Sequence, residues 1–445
     1  MTAKAPAEIT TAMASLWKRR FPDPENSYQT PEFLALKQAC VRQYSLKDLF
    51  WFTTALWEIL RSIGCPMLLR ERPELALPSE DAAQLLHSTL TAKTDKIIHL
   101  CPLDWADNIS RVRFGSSQIG RFTARELQAF ADAPRLARLF PTITIDWERL
   151  SRFHWLVVEE EVPISVEPGH RTMPEFYRIH DDLGAIVAHE DHFPKVVEEA
   201  LMLLLLAPWE EWSVYHQMDW RGFHLPWIFS CHGDLCVRLK TPPQDKNLTW
   251  LPQSYTDDYG DQVEVEEPAQ FRLEDEAKAL PDFLSEERRG RLERALTTTL
   301  FETPVRHFLI RAFHSAGIDE FIAHLTVIEA ALGLHSDYGK KQKTDPRKAM
   351  AVTQVMRTRV QNSLADPKSG GEYESLFDLR SAYVHGRTMA PISSEDRRRA
   401  RRLARAVVSA LVDVASSPGA KIDREILLNG LLCAQVQSSE PVGST

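Results

Sequence analysis

The strongest constraint on the fold is a set of apolar residues at helical spacing in the last third of the chain. Three further segments repeat the pattern, at Met350 to Leu364, at Tyr373 to Val384 and at Ser393 to Ala415. In the last segment Val414 lies on the apolar stripe, and Ser393 with Asp396 suits a helix start. Residues three or four apart share one side of a helix, so each segment predicts an amphipathic helix. With one more helix before residue 317, the set predicts an antiparallel helical bundle over residues 286–430. The first stripe consists of Ile318, Phe321, Ile322, Leu325, Ile328 and Leu332.

The residues before the bundle follow other patterns. Residues 1–140 are predicted to form a helical N-terminal region. Residues 141–285 are predicted to be mixed α/β and are rich in tryptophan, and the β-branched run from Phe153 to Val166 is typical of a strand. Residues 431–445 are polar and are expected to be a disordered tail. The expected fold class is therefore α+β, and the middle region is a candidate sensor. Residues 1–285 together are the expected place of action of a regulatory partner or trigger.

Charge is divided unevenly along the chain. The 445 residues are 44% hydrophobic and 26% charged, which is typical of globular proteins, and the net charge is −9. Residues 301–445 carry 20 basic and 16 acidic side chains, a net +4, so the first 300 residues carry −9 − 4 = −13. An acidic total argues against a protein that coats nucleic acid by bulk charge, but it leaves room for a local basic face.

The expected compartment is the cytoplasm. The chain begins without a charged segment followed by an apolar one, which a secretory signal requires. Its most apolar run, Ala200 to Trp209, is too short to cross a bilayer and predicts a buried helix. The closest cysteine pair, Cys231 and Cys236, does not have zinc-site spacing, and the six cysteines suggest no disulfide framework. We expect no cofactor and no membrane partner.

The most informative motif lies at the end of the third bundle helix. Arg380 falls on the apolar stripe seven residues after Tyr373, where a guanidinium needs a partner or a task. Ser381 and His385 lie four residues apart, and Gly386 is a natural helix terminator. A structural alternative is that the histidine and a following arginine satisfy the last helical carbonyls and the helix dipole.

The run from about 300 to 415 resembles a HEPN domain, the helical domain of many prokaryotic ribonucleases and defence proteins. The resemblance lies in FHSAGIDEFIAHLTVIEAALGL, a basic loop and helix (KKQKTDPRKAMAVTQVM), LRSAYVHG and a long arginine-rich helix. The family signature R-x(4–6)-H corresponds here to Arg380 and His385, with Ser381 after the arginine. Arg149 and His154 also fit the short pattern, but they lack the helical context.

The resemblance implies a homodimer in which two such helix ends form one cleft that cleaves RNA without a metal. A histidine can transfer the proton of the ribose 2′-OH, and a guanidinium can hold phosphate oxygens as charge develops. Ser381 would donate a further hydrogen bond. The implied setting is a toxin or anti-phage defence. Many HEPN domains are inactive, so the alternative is a non-catalytic module for dimerisation, nucleic-acid binding or partner binding.

Two further features extend the predicted site. Glu329 lies on the apolar stripe and is predicted to orient Arg380 or His385, the alternative being an ordinary surface glutamate. Basic residues of the last helix and the preceding loop are predicted to bind RNA phosphates. A solvated face that pairs with the acidic first 300 residues is the alternative, and such pairing would mask the surface from RNA. The predicted RNA-binding residues are Arg397, Arg398, Arg401, Arg402, Arg405, Lys340 and Lys341.

A competing hypothesis places a metal-dependent hydrolase on the His/Asp-rich segment from His180 to His192. Its His189 and His192 form HxxH rather than the HExxH of zinc proteases, so the spacing is not that of a recognised metal site. The chain contains neither a P-loop nor a G-x-S-x-G nucleophile motif.

Overall fold

The computed structural model describes residues 4–20, 28–47, 49–69, 72–173, 182, 193–215, 220–242, 244–338, 350–386, 391–417 and 422–433. It is 56% helix and 14% strand with a helical C-terminal region, which confirms the α+β class.

The chain divides into two compact units that are each discontinuous in sequence. The sheet unit comprises Met1–Leu103, Ile119–Ile186 and Pro226–Pro268, and the helical unit comprises Asp104–Gln118, Val187–Leu225 and Ala269–Thr445. The contiguous regions predicted from the sequence, with boundaries near residues 140 and 285, are not confirmed by this division. The predicted disordered tail lies outside the described residues beyond residue 433.

The strands occupy the first 270 residues. They are β1 (Thr94–Leu103), β2 (Val112–Phe114), β3 (Ser117–Arg121), β4 (His154–Pro163), β5 (Phe229–His232), β6 (Trp250–Thr256) and β7 (Gln262–Pro268). The strand predicted from Phe153 is confirmed as β4. The strands β1 to β3, within the region predicted to be helical, were missed.

Among the described residues, the helices of the sheet unit all precede residue 173. They are α1 (Ala7–Trp17), α2 (Pro31–Tyr44), α3 (Leu49–Ser62), α4 (Ser79–Thr91), α5 (Ala124–Phe130), α6 (Ala133–Leu139), α7 (Trp147–Ser151) and α8 (Pro168–Thr172). Helices α1 to α4 bury one apolar cluster among themselves. This clustering explains why their amphipathic pattern was readable from sequence alone.

The sheet of this unit is antiparallel around β1. Strand β1 pairs with β4 on one side and with β5 on the other, and residue His99 lies opposite both Val158 and Ser230. One face packs on α5 and α7 through an apolar cluster that includes Leu100, Trp155 and Val157. Strands β6 and β7 form a separate, largely exposed hairpin.

The helical unit contains the predicted bundle. Its helices are α9 (Lys195–Leu205), α10 (Trp209–Trp212), α11 (Leu280–Phe283), α12 (Glu286–Leu296), α13 (Val305–His314), α14 (Gly317–Leu332), α15 (Val352–Ser363), α16 (Pro367–Val384), α17 (Ser394–Ala415) and α18 (Arg424–Gly430). The buried helix predicted within Ala200 to Trp209 is confirmed by α9 and belongs to this unit, because α9 packs on α13.

Helix α14 lies at the centre of the bundle and packs against α13, α15, α16 and α17. The predicted stripe is buried at Phe321, Leu325, Ile328 and Leu332. Two predicted core positions were wrong, since Val384 and Val414 are 57% and 40% exposed. Val384 occupies the last turn of α16.

Within the part of the chain that the structure describes, no helix is both long and apolar enough to cross a membrane.

Candidate functional site

Helix α16 ends at the motif singled out in the sequence. His385 leaves the helical geometry with φ −92° and ψ 7°, although its N–H still donates to the Ser381 carbonyl at 3.0 Å. Gly386 has φ +62°, and its N–H donates to the Tyr383 carbonyl at 3.2 Å. A left-handed glycine is a common helix terminator, so the predicted end of the helix is confirmed.

Arg380 and Glu329 form an ion pair between α16 and α14. Arg380 Nη1 donates to Glu329 Oε1 at 2.6 Å. The two side chains are 27% and 21% exposed, so solvent and ligands can reach both. Burial raises the pKa of Glu329, and the neighbouring Arg380 opposes that shift. The structure therefore brings together two of the predicted site residues and explains the arginine on an otherwise apolar stripe.

His385 and Ser381 stand apart from that pair. His385 is exposed, and among the described residues its imidazole has no hydrogen bond or ion pair. Ser381 is half-buried, and its hydroxyl likewise has no hydrogen-bond partner in the described part of the chain. Within one chain the structure therefore joins Arg380 to Glu329 but leaves His385 at the helix end, open to an incoming group.

A short 3₁₀ turn, His335–Tyr338, lies beside the pair and was not predicted. Asp337 accepts from the Leu334 N–H at 2.7 Å and from Arg359 Nη1 and Nη2 at 2.5 and 3.1 Å. Arg359 is fully buried, so this bidentate pair anchors the turn firmly. Tyr338, at the end of the turn, is 63% exposed.

Two arginines also cap the end of α14. Arg359 Nη1 donates to the Leu332 carbonyl at 2.8 Å. Arg424, at the start of α18, donates to the carbonyls of Ala330, Ala331 and Gly333 at 2.7 to 3.1 Å. The last carbonyls of a helix lack partners within that helix, and guanidinium groups supply them here. This capping fixes the turn of α14 that carries Glu329.

The helix that carries the predicted arginine surface begins where the sequence predicts, but part of that surface is buried. Helix α17 begins with the predicted Ser393–Asp396 capping box. Arg401 is 2% exposed and donates to the buried Glu320 at 2.7 Å, and its guanidinium carbon lies 4.7 Å from the Trp220 ring centroid. Burial lowers the pKa of Arg401 to about 10 and raises that of Glu320. An RNA phosphate at the surface cannot contact Arg401 in this arrangement.

The other predicted arginines of α17 are also engaged with carboxylates. Arg397 lies 3.5 Å from Glu320, and Arg398 pairs with Glu395 within its own helix. Arg405 binds both Glu210 and Glu211, whereas Arg402 binds Glu372 and remains 50% exposed. Glu210 and Glu211 come from the acidic first 300 residues, but they belong to the same unit as the arginine. Arg398 and Arg402 are thus the predicted contacts that stay closest to solvent.

His324, one turn after Glu320, completes the buried cluster. Its Nδ1 lies 2.9 Å from the Glu320 carbonyl, and its ring meets Trp220 edge-on at 5.6 Å. Burial, reinforced by Arg401, lowers the pKa of His324 to about 3. This histidine is therefore neutral at physiological pH and holds the buried cluster together through packing.

A second polar cluster, in the sheet unit, was also missed. His99 Nδ1 lies 2.8 Å from Ser230 Oγ, and His99 Nε2 lies 3.3 Å from Glu160 Oε2. Burial lowers the pKa of His99, against the effect of Glu160. The order of groups is that of a nucleophilic triad, but His99 is only 3% exposed and cannot reach a substrate. The cluster instead ties β1 to β4 and β5.

Several predicted residues lie outside the described part of the chain. These are Lys340 and Lys341 of the RNA-binding set, and the segment His180 to His192 of the metal hypothesis, apart from Asp182. Among the residues that are described, no group of three or more metal-capable side chains is placed to hold a metal ion.

No family model matches the chain, and no curated protein or solved structure matches it either.

Proposed function

We propose that the protein is a metal-independent RNA endonuclease of the HEPN type that uses Arg380 and His385. The observation that carries the proposal is the Arg380–Glu329 pair at 2.6 Å, accessible to solvent, on a helix that ends at an exposed histidine. A cationic group held by a carboxylate, on a helix that ends at an imidazole without a partner among the described residues, suits chemistry on a phosphodiester.

The reaction needs little from the protein because RNA carries its own nucleophile. The His385 imidazole takes the proton of the ribose 2′-OH as the oxygen attacks the adjacent phosphorus. The bond to the 5′-oxygen breaks, that oxygen takes up a proton, and a 2′,3′-cyclic phosphate remains. Arg380 Nη1 stays on Glu329, while its remaining N–H groups, which have no hydrogen bonds to the described residues, bind the phosphate oxygens.

A second copy of the chain completes the proposed cleft. His385 and Arg380 do not meet within one chain, so a shared site between two α16 ends supplies the missing proximity. The exposed apolar side chains Tyr383 and Val384, 41% and 57% exposed, favour such a contact. Sedimentation at micromolar concentration is expected to show a dimer. A monomer of 50.8 kDa with full activity would contradict this part of the proposal.

The experiment is incubation of the full chain with total RNA in the presence and absence of EDTA. Cleavage is expected in both, and His385→Ala is expected to abolish it because the imidazole is the proton acceptor. His314→Ala is the matched control, since His314 is an exposed histidine at the end of the neighbouring helix α13. Cleavage that needs a metal, or that survives in His385→Ala, removes the proposal.

The isolation of His385 within one chain also favours a second candidate, a non-catalytic binding module. In that case the wild type binds RNA or a partner protein without cutting RNA. The toxin or antiviral defence setting, the cytoplasmic location and the role of residues 141–285 as a sensor belong to the first proposal. The defence setting rests on the HEPN resemblance.

A further inference from the structure

Tyr338 is an aromatic residue at the end of the anchored turn, at the edge of the proposed site. Its hydroxyl approaches the end of α14, where a methyl group on Gly333 would lie 3.9 Å from it. Burial of that hydroxyl, followed by Glu329 and Asp337, raises the pKa of Tyr338, and Arg380 opposes the shift. The same methyl position would lie 2.5 Å from the Glu329 carbonyl oxygen, so the phenol end lies near the backbone of the residue that binds Arg380.

Tyr338 is largely exposed, and the turn that carries it is held in place. The residue is 63% exposed, whereas Arg359, which binds the neighbouring Asp337, is fully buried. A single exposed tyrosine is ordinary on a protein surface. An exposed ring on an anchored turn, close to the glutamate that binds an accessible arginine, suits a single-stranded nucleic-acid site, because a cation can hold the phosphate and a ring can hold the base.

We propose that Tyr338 is the stacking platform for an unpaired base of the RNA whose phosphate lies at Arg380, an inference that rests on the proposed nuclease function. Stacking needs a base whose face is free, and the bases of a duplex are already stacked on one another. The substrate class is accordingly single-stranded RNA, or a loop, with little sequence preference, since every base has an aromatic face.

The measurement is binding of a fluorescein-labelled oligouridylate of about 12 nucleotides, a length within the range that such single-strand sites cover. It uses the full-length chain carrying His385→Ala, so that the RNA is not cut. Tyr338→Ala is expected to weaken binding by about 5- to 150-fold, the range for loss of one stacked base. Tyr338→Phe and Tyr338→Trp, which keep a ring, are expected to bind like the parent. Tyr259→Ala, at a 92% exposed tyrosine of the sheet unit, is the matched control.

A second probe separates stacking from other causes. An oligomer of the same length with abasic riboses keeps the phosphates but offers nothing to stack, so Tyr338→Ala is expected to leave its affinity unchanged. If Tyr338→Ala weakened binding of the oligouridylate and of the abasic oligomer equally, the inference would be overturned. It would also be overturned if Tyr338→Phe, which removes only the hydroxyl, weakened oligouridylate binding as much as Tyr338→Ala does.

The outcomes also distinguish this inference from the function on which it rests. If the wild type cuts RNA and Tyr338→Ala leaves oligouridylate binding unchanged, the stacking role is wrong while the nuclease assignment stands. If the wild type neither cuts nor binds RNA, the proposed function fails and the inference is overturned with it.

Discussion

Helix α14 carries two glutamates, Glu320 near its start and Glu329 near its end, and each binds an arginine from another helix. The distances are nearly the same, 2.7 Å to Arg401 and 2.6 Å to Arg380. The surroundings differ, because the first pair is 2% and 1% exposed and the second is 27% and 21% exposed.

This contrast separates two uses of the same ion pair. A buried pair has lost its hydration, so removal of one partner leaves a charge that nothing compensates. An accessible pair contributes little to stability, yet its arginine keeps donors for an incoming anion. Both α16 and α17 carry a paired arginine, so the presence of an arginine does not decide which guanidinium can contact RNA. The degree of burial decides it.

The largest expected effect on stability comes from breaking the buried pair. Glu320→Ala leaves Arg401 buried without its carboxylate and is expected to lower the free energy of unfolding by about 3–5 kcal/mol. Glu329→Ala, the matched variant at the accessible pair, is expected to cost less than about 1 kcal/mol. Urea unfolding of both variants measures the difference, and equal losses would erase the contrast.

The accessible pair is expected to show the opposite response. Arg380→Ala removes the donors that stabilise the developing phosphate charge and is expected to slow RNA cleavage by about 10²- to 10³-fold, with little change in stability. Arg357→Ala, at a partly exposed arginine of α15 that pairs with Glu374 and belongs to neither predicted set, serves as the control and should keep nearly full activity. Full activity in Arg380→Ala would leave the pair without a catalytic role.

A pH titration sharpens the comparison through His324, which belongs to the buried cluster. The pKa of His324 is about 3 in the folded chain, below the ordinary value of 6.5. Between pH 6.5 and 3 the histidine therefore binds a proton in the unfolded chain but not in the folded one. The free energy of unfolding consequently falls as the pH falls through this range. From pH 7 to 5 the loss is about 2 kcal/mol, because the slope approaches 1.36 kcal/mol per pH unit below pH 6.5. Urea unfolding at pH 7 and pH 5 measures it.

The control for that titration is His324→Gln, which lacks the proton-binding group. Glu320 acts in the other direction, because burial raises its pKa and its contribution to stability grows as the pH falls. Since the substitution leaves Glu320 in place, the difference between the two proteins isolates the histidine. An identical acid response in both would show that His324 is not the group responsible.

The smallest expected effect concerns the exposed part of the arginine helix. Arg402→Gln in the His385→Ala chain is expected to weaken RNA binding about equally for all sequences and to reduce the salt slope by about 1, as one phosphate contact is lost. Fluorescence anisotropy across a salt series measures both. Arg401→Gln is expected to leave that slope unchanged, and a change there would place Arg401 at the surface.

Local signals in the sequence predicted the parts of this fold that depend on neighbouring residues. The stripe on α14, the glycine that ends α16 and the Ser393–Asp396 box all depend on contacts within a few positions. Strand β1 escaped prediction because most of its second half, including the non-alternating run Leu100 to Leu103, is buried, so it lacks the alternation that marks a strand with one exposed face.

The site itself was only partly readable for the same reason. Arg380 was predicted to be a site residue because a guanidinium on an apolar stripe needs a partner or a task, and that signal lies within a few positions of the sequence. The burial of Arg401 depends on Glu320, which lies 81 positions away, and on Trp220 from an early segment of the chain. Nothing in the spacing of arginines along α17 distinguishes an inward side chain from an outward one when partners come from distant segments.

The capping of α14 by Arg424 has a consequence for synthesis of the protein. Ribosomes release the chain from the N-terminus onward, so Glu329 and Arg380 both emerge before the guanidinium that binds the carbonyls of Ala330, Ala331 and Gly333. Until residue 424 has left the exit tunnel, these carbonyls lack that donor and the last turn of α14 can fray. The proposed catalytic site is therefore completed late in translation, after Glu329 and Arg380 have already been synthesised.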